Sequence, residues 1–300
     1  MKVIITDPIA TEGVKLLRAA GLEVDERPGL APDELIKAIP EYDAIIVRSA
    51  TKVTADVINA GRNLKVIGRA GVGLDNVDKK AADARGIKVV NTPAATSISV
   101  AELALGFMFA AARQIPQATQ SLREGKWEKK AFKGRELYGK TLGIIGAGRI
   151  GTELAKRAEA LGMTVLVVRR TNKESAYGRL VSLDELLSQA DFISLHIPKT
   201  AETTHLLNAQ AFAKMKKGVV IVNCARGGVV DEAALYEACK SGQVAMACLD
   251  VFETEPPKDW SLFSLPNVIG TPHIGAQTQE GQERAGIGIA EEVCKALLGK

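Results

Sequence analysis

Aromatic residues are scarce: Phe, Tyr and Trp make up 4% of the 300 residues. The cores must therefore be filled by Val, Ile, Leu and Ala, and there is no series of rings on which bases could stack. Cysteine is scarce too. Cys224, Cys239, Cys248 and Cys294 form no C-x-x-C pair, and with only three histidines they leave no ligand set for a structural metal site. Scattered thiols of this kind fit a reducing compartment. Long apolar runs are missing. The longest, "LALGFMFAAA" at 103–112, is about half of the ~20 residues that a membrane-spanning helix needs. The apolar start "KVIIT" is cut short by Asp7-Pro8, which argues against a signal peptide and for a cytoplasmic protein. Charge of either sign is nearly balanced at +4, with no basic stripe and no interleaved aromatics. That excludes nucleic acid as a partner and leaves room for a small anionic ligand.

Short apolar runs alternating with helical spacing are abundant. In the first hundred residues "KVIIT", "LEVDER", "DAIIVRS", "KVIGRAG" and "KVVNTP" read as strands. Between them, "EGVKLLRAAG" has helical spacing and a glycine stop, and "PDELIKAI" opens with Pro and acids as helices do. A long helix is expected from Ser97, broken or kinked at Pro116. The polar stretch "REGKWEKKAFKGRELYGK" then reads as a connector, or as an arm that touches a partner subunit. A second alternating set follows: "TLGIIG", "TVLVV", "FISLHIP", "VVIVNCA", "AMACLDV" and "NVIGTPH", with helices between and a helical stretch at 276–298. The pattern predicts an α/β chain of two doubly wound parallel sheets, with boundaries near 98 and 274.

Gly146, Gly148 and Gly151 form G-x-G-x-x-G between the strand "TLGII" and the helix "RIGTELAKRAEALG". That context is what a dinucleotide fingerprint requires. The first glycine allows the turn, the second lets a pyrophosphate approach the backbone, and the third lets helix and strand close up. An acidic residue normally ends the next strand and holds the adenosine ribose. Here Arg169 and Arg170 stand there, 18 residues beyond Gly151, followed by Thr171, Asn172 and Lys173. Guanidinium groups grip phosphate, so this stretch favours a 2′-phosphate and hence NADP over NAD. The alternative is that both arginines face solvent and NAD binds regardless.

Three later loops carry polar residues just past apolar strands: Arg226 in "NCARGGVVDE", Asp250 and Glu255 in "LDVFETEPP", and His273 in "NVIGTPHIGA". Ligands of open parallel sheets sit beyond the carboxyl ends of strands. A cation, a carboxylate and a histidine there suit hydride transfer between an alcohol and a ketone. The histidine would move the hydroxyl proton, the carboxylate would support it, and the arginine would hold a substrate carboxylate. Arg226 in a structural ion pair and Glu255 on a plain surface loop are the competing readings. Nothing marks His196 or His205 as a base.

These motifs, with "VRSATKVTADVI" at 47–58, "VIGRAGVGLDNVD" at 66–78 and "NTP" with "SVAE" at 91–102, resemble the D-isomer-specific 2-hydroxyacid dehydrogenases along essentially the whole chain. The first two stretches point to the phosphoglycerate dehydrogenase branch. The resemblance implies a Rossmann-type cofactor domain (99–274) inserted in a flavodoxin-like substrate domain (1–98 and 275–300), and a homodimer; composition and run length already argue against a membrane or nucleic-acid partner. It implies that Arg226, Glu255 and His273 are the catalytic set, with His273 as acid/base. Asp250 would hold the nicotinamide carboxamide, and Arg149 and Ile150 would lie against the pyrophosphate. Pro198, Cys224 and Gly275 would join the cofactor-binding set. Arg48, Ser49 and Arg69 would receive the substrate's phosphate or carboxylate. The implied reaction is oxidation of the phosphorylated 2-hydroxy acid 3-phosphoglycerate, which opens serine biosynthesis. Alternatives are a glyoxylate or hydroxypyruvate reductase, another D-2-hydroxyacid dehydrogenase, or a cofactor-sensing corepressor. The chain departs from that branch in two ways. Arg169 replaces its usual Asp with a shortened loop after it, and the chain ends at "LLGK" where longer members continue.

Overall fold

The computed structural model describes residues 1–170 and 175–299. The chain divides into two compact units, Met1–Ser97 with Ala276–Lys300, and Ile98–Gly275.

In the first unit β1 (Lys2–Ile5), α1 (Thr11–Ala19), β2 (Glu23–Glu26), α2 (Pro32–Ala38), β3 (Ala44–Val47), α3 (Ala55–Ala60), β4 (Val66–Arg69), α4 (Lys79–Ala84) and β5 (Lys88–Asn91) follow in order. The strands form one parallel sheet in the order β2-β1-β3-β4-β5. Side chains of a strand alternate between its faces, so each apolar strand feeds two cores. Ile4, Ile45 and Ile67 pack with Leu35, Ile39 and Val57 on one face. Val3, Ile5, Ile46 and Val66 pack with Leu17, Ile289 and Val293 on the other. Each such side chain, withdrawn from water, contributes about 1.5–3 kcal/mol. Thr54 and Asp78 accept the N–H groups of Val57 and Ala81 and so start α3 and α4.

The second unit contains α5 (Ser97–Arg113, whose first residue belongs to the first unit), α6 (Ile115–Arg123), β6 (Thr141–Ile145), α7 (Arg149–Ala160), β7 (Thr164–Val168) and β8 (Arg179–Leu180). It continues with α8 (Leu183–Gln189), β9 (Phe192–Leu195), α9 (Ala209–Lys214), β10 (Val219–Asn223), α10 (Glu232–Lys240), β11 (Val244–Leu249) and β12 (Val268–Gly270). Its parallel sheet runs β12-β11-β10-β9-β6-β7-β8. The chain winds from β6 to one edge and then from β9 to the other, so the order reverses between β6 and β9. Ser182, Asn208 and Asp231 cap α8, α9 and α10 through their side chains. The last helix, α11 (Gln279–Leu298), returns to the first unit and packs on α1, β4 and β5.

The break after α5 falls at Gln114, two residues earlier than proline alone suggests. Gln114 takes a left-handed φ of 52°, and the two helices bend by 62°. Pro116 sits at the start of α6, where its missing N–H costs nothing. Residues 124–140 form neither helix nor strand. Among the described residues no single helix is long and apolar enough to cross a membrane. Cys224, Cys239 and Cys248 are buried, Cys294 is half-buried, and none is in a disulfide.

Candidate active site

The fingerprint turn leaves β6 at the reversal point, where doubly wound sheets open a crevice. Gly146 has φ +102°, and a Cβ on it would come within 2.5 Å of the His196 carbonyl oxygen. A Cβ on Gly151 would collide with the Gly146 carbonyl, so this glycine lets α7 press against β6. Gly148, the N-cap of α7, differs: a Cβ there would meet nothing within 4 Å. The open face lies before the first N–H groups of α7, at Arg149, Ile150 and Gly151, where the helix dipole is positive. Backbone donors, open space and positive potential suit a diphosphate.

Arg169 is half-buried just past β7 and Arg170 is exposed. Thr171, Asn172 and Lys173 lie outside the described residues. Glu202 neighbours this edge. The Thr200 hydroxyl, 2.6 Å away, holds its carboxyl below the ordinary range, and the charge of Arg170 adds to the effect. Pro198 is exposed past β9 and Cys224 is buried past β10, where burial pushes its thiol well up and keeps it neutral. The ring of His196, just past β9, is withdrawn from solvent. Its Nε2 meets Ser194 Oγ at 2.9 Å, its buried Nδ1 has no partner, and burial lowers its pKa to about 4. An orphaned polar atom at the reversal point, together with the open face of Gly148, fits a bound dinucleotide.

Beyond β10, β11 and β12 the structure brings the polar loop residues together. His273 Nδ1 lies 2.6 Å from Glu255 Oε2. A carboxylate can only accept, so Nδ1 carries the proton and Nε2 is left for another partner. This contact raises the His273 pKa above its ordinary value, against desolvation. For Glu255 burial pulls upward, but the His273 hydrogen bond and charge prevail and the carboxyl titrates low. Arg226 acts electrostatically on both, lowering Glu255 and opposing protonation of His273. Its turn is held by Asn223, which accepts from Ala225 N at 3.1 Å and donates to Arg226 O at 3.1 Å.

Asp250 is buried, and its carboxylate accepts from Thr271 Oγ1 at 2.6 Å, Ile274 N at 2.7 Å and Gly275 N at 2.8 Å. Its three bonds fasten the segment carrying His273, which itself has a left-handed φ of 52°. The sequence singled out Asp250 and Gly275 but not this link. Asn223 and Thr271 were missed, since an Asn or Thr near a strand end is a common sight.

In the first unit Arg48 follows β3 and Arg69 ends β4, on adjacent strands paired at Val47 and Arg69. Asp7, buried past β1, accepts from Arg48 N at 2.7 Å and Thr51 Oγ1 at 2.7 Å. Asn76 donates to the carbonyls of Arg48 and Thr51 at 2.8 and 2.7 Å. The loop with Arg48 and the exposed Ser49 is thus clamped from both sides, beside the reversal of this sheet between β1 and β3. Arg48 reaches Gln277 Oε1 at 3.3 Å.

Residues 105–275 match the family described as D-isomer specific 2-hydroxyacid dehydrogenase, NAD binding domain. The chain is 53% identical to the D-3-phosphoglycerate dehydrogenase of Methanocaldococcus jannaschii, over 100% of this chain and 58% of that protein. It therefore spans little more than half the length of such relatives. It is 55% identical to the hydroxypyruvate reductase of Thermotoga maritima, over 99% of this chain and 98% of that one. Among solved structures, the TT0316 protein of Thermus thermophilus superposes with a TM-score of 0.92 at 39% identity, covering 100% of this chain and 98% of the other.

Proposed function

This chain belongs to the D-isomer specific 2-hydroxyacid dehydrogenase family, and we propose that it oxidises 3-phosphoglycerate to 3-phosphohydroxypyruvate, the entry to serine biosynthesis. Its cofactor is a nicotinamide dinucleotide, which when bound supplies the acceptor for the C2 hydride. The observation that carries the reading is the His273–Glu255 pair with Arg226 beside it. The free Nε2 of His273 takes the C2 hydroxyl proton, and Glu255 stabilises the imidazolium that results. Arg226 holds the substrate carboxylate and polarises the forming carbonyl. Asp250 keeps His273 in place and, with the lone pair left on Oδ2, is assigned to the carboxamide. Arg48 and Arg69, with Ser49, are assigned to the phosphate.

Arg169 and Arg170 support binding of NADP at least as well as NAD, with Thr171 as a further donor. Gly146, Gly148, Arg149, Ile150, Gly151, Pro198, Cys224 and Gly275 complete the proposed cofactor set. A homodimer is supported by exposed apolar side chains concentrated in one stretch of the second unit, Phe109, Ile115, Leu122, Trp127 and Tyr138.

Turnover on 3-phosphoglycerate, D-glycerate and D-lactate tests the substrate. A preference for the unphosphorylated acids overturns the phosphoglycerate reading. A hydroxypyruvate reductase is the second reading, favoured by the likeness to the Thermotoga maritima protein along nearly its full length. It predicts faster reduction of hydroxypyruvate than of its phosphate ester.

A further inference from the structure

Three neighbouring loops leave the carboxyl ends of β9, β10 and β11. The second carries Arg226 and the third carries Glu255. They are pressed together so closely that a Cβ on Gly227 would collide with the Phe252 carbonyl. Two bonds of opposite sense then join them. Glu253 N donates to Glu232 Oε1 at 2.7 Å, and Glu232 N donates to Glu253 Oε1 at 3.2 Å. This reciprocal clasp fixes the register of both loops, but it also sets two carboxylates side by side. Burial, and then the charges of Glu253, Asp259 and Glu255, hold the Glu232 carboxyl above its ordinary range.

The first loop supplies a hydrogen-bond donor to this pair. His205 Nε2 lies 3.0 Å from the same Glu253 Oε1, and Nδ1 is 3.9 Å from Asp231 Oδ2. Because Glu253 only accepts, Nε2 carries a hydrogen. The backbone delivers the ring to this spot: His205 N donates to Gly228 O at 2.8 Å, and Asp231 N donates to Leu207 O at 3.0 Å. His205 adopts φ 50°, a conformation in which glycine or asparagine is at less disadvantage. Its side chain gives a reason for a histidine there. Glu255 lies two residues past Glu253, in a turn closed by Phe252 N donating to Glu255 Oε1 at 3.2 Å. A shift of Glu253 therefore moves the carboxylate that faces His273.

We propose that His205, Glu232 and Glu253 are positioning residues that lock the Arg226 and Glu255 loops together and so keep Glu255 on the acid/base histidine. This rests on the reading of Arg226, Glu255 and His273 as the reacting set. None of the three touches the reacting atoms; they act through Glu255.

The test uses the intact protein with 3-phosphoglycerate and NADP. His205→Asn keeps a residue suited to φ 50° and removes the imidazole. Glu253→Gln keeps the shape and removes the charge. For each, kcat falls about tenfold while both KM values stay within about twofold, because orientation rather than binding is lost. The acidic limb of the kcat/KM profile moves to lower pH, since His273 loses part of the support that raises its pKa. His205→Gln, which can still donate to Glu253, recovers part of the rate. A pH profile that superposes on the parent's in both His205→Asn and Glu253→Gln overturns the proposal, whatever happens to thermal stability. His273→Ala separates the two levels. If it abolishes turnover while the profiles of the other variants do not move, only the positioning role fails. If it leaves turnover intact, the reading of the reacting set fails, and this proposal with it.

Discussion

Replacing Asp250 by Asn isolates what the buried carboxylate does for His273. In the parent, Oδ1 accepts from Thr271 Oγ1 and Ile274 N, and Oδ2 accepts from Gly275 N. Asparagine keeps one acceptor oxygen, neutral rather than charged, and turns an amide NH2 toward a backbone N–H at the other position. Two charge-assisted bonds drop to neutral strength, a loss of about 1 kcal/mol each, and one buried donor loses its acceptor, costing about 1–3 kcal/mol more. The sum is roughly 3–5 kcal/mol. If the loop stays in place, all of this appears as instability, a fall in Tm of roughly 6–20 °C for a unit of this size. If instead the loop relaxes, Tm falls less, and a His273 displaced by about 1 Å costs on the order of a hundredfold in kcat. Differential scanning calorimetry and steady-state turnover, on the same preparation, apportion the loss. A variant melting within ~2 °C of the parent and turning over within about threefold of it would refute the claim that Asp250 fastens this segment.

The Glu255–His273 pair should leave two pH signatures of opposite sense. Glu255 titrates below its ordinary 4.5, so its stabilisation is present above 4.5 and is lost as pH falls through the lowered value; His273 titrates above its ordinary 6.5, so its stabilisation is full below 6.5 and is lost as pH rises through the raised value. The parent's stability over His273→Gln, measured by urea denaturation, is thus greatest between about 4.5 and 6.5, while turnover by the proposed base, which must be neutral to take the hydroxyl proton, rises as pH passes above that window. Arg169→Asp should raise KM for NADP by roughly 10–100-fold and lower that for NAD, as expected for loss of a charge-assisted phosphate contact; a parent that strongly prefers NAD, with no response to the substitution, refutes the charge argument.

Alternation of apolar strands with helical spacing was enough to read both parallel sheets, because burying a strand on two faces demands unbroken runs such as "AIIV" and "VVIV". The fingerprint was legible because its glycines stand between a strand and a helix, and Arg226, Glu255 and His273 because each lies shortly past such a strand. The ties between loops were not legible. Asp250 to Thr271, Asn223 to its own turn, and His205 to Glu253 are side-chain bonds whose partners are chosen by the packed backbone, not by spacing. The helix break shows the same limit. Proline marked the region, but the turn itself is made by Gln114, whose left-handed conformation has no sequence signature.

The distribution of the thiols has a practical consequence. Burial raises the pKa of Cys239 to about 12 and pushes Cys224 and Cys248 up as well, so none of these three presents a thiolate at neutral pH. Only Cys294, on α11, is partly open to solvent, although burial pushes its thiol up too. A maleimide dye added to the folded protein would mark that helix preferentially and leave the cofactor unit dark. The native chain thus carries its own single reporter on the first unit, free of any substitution near the chemistry.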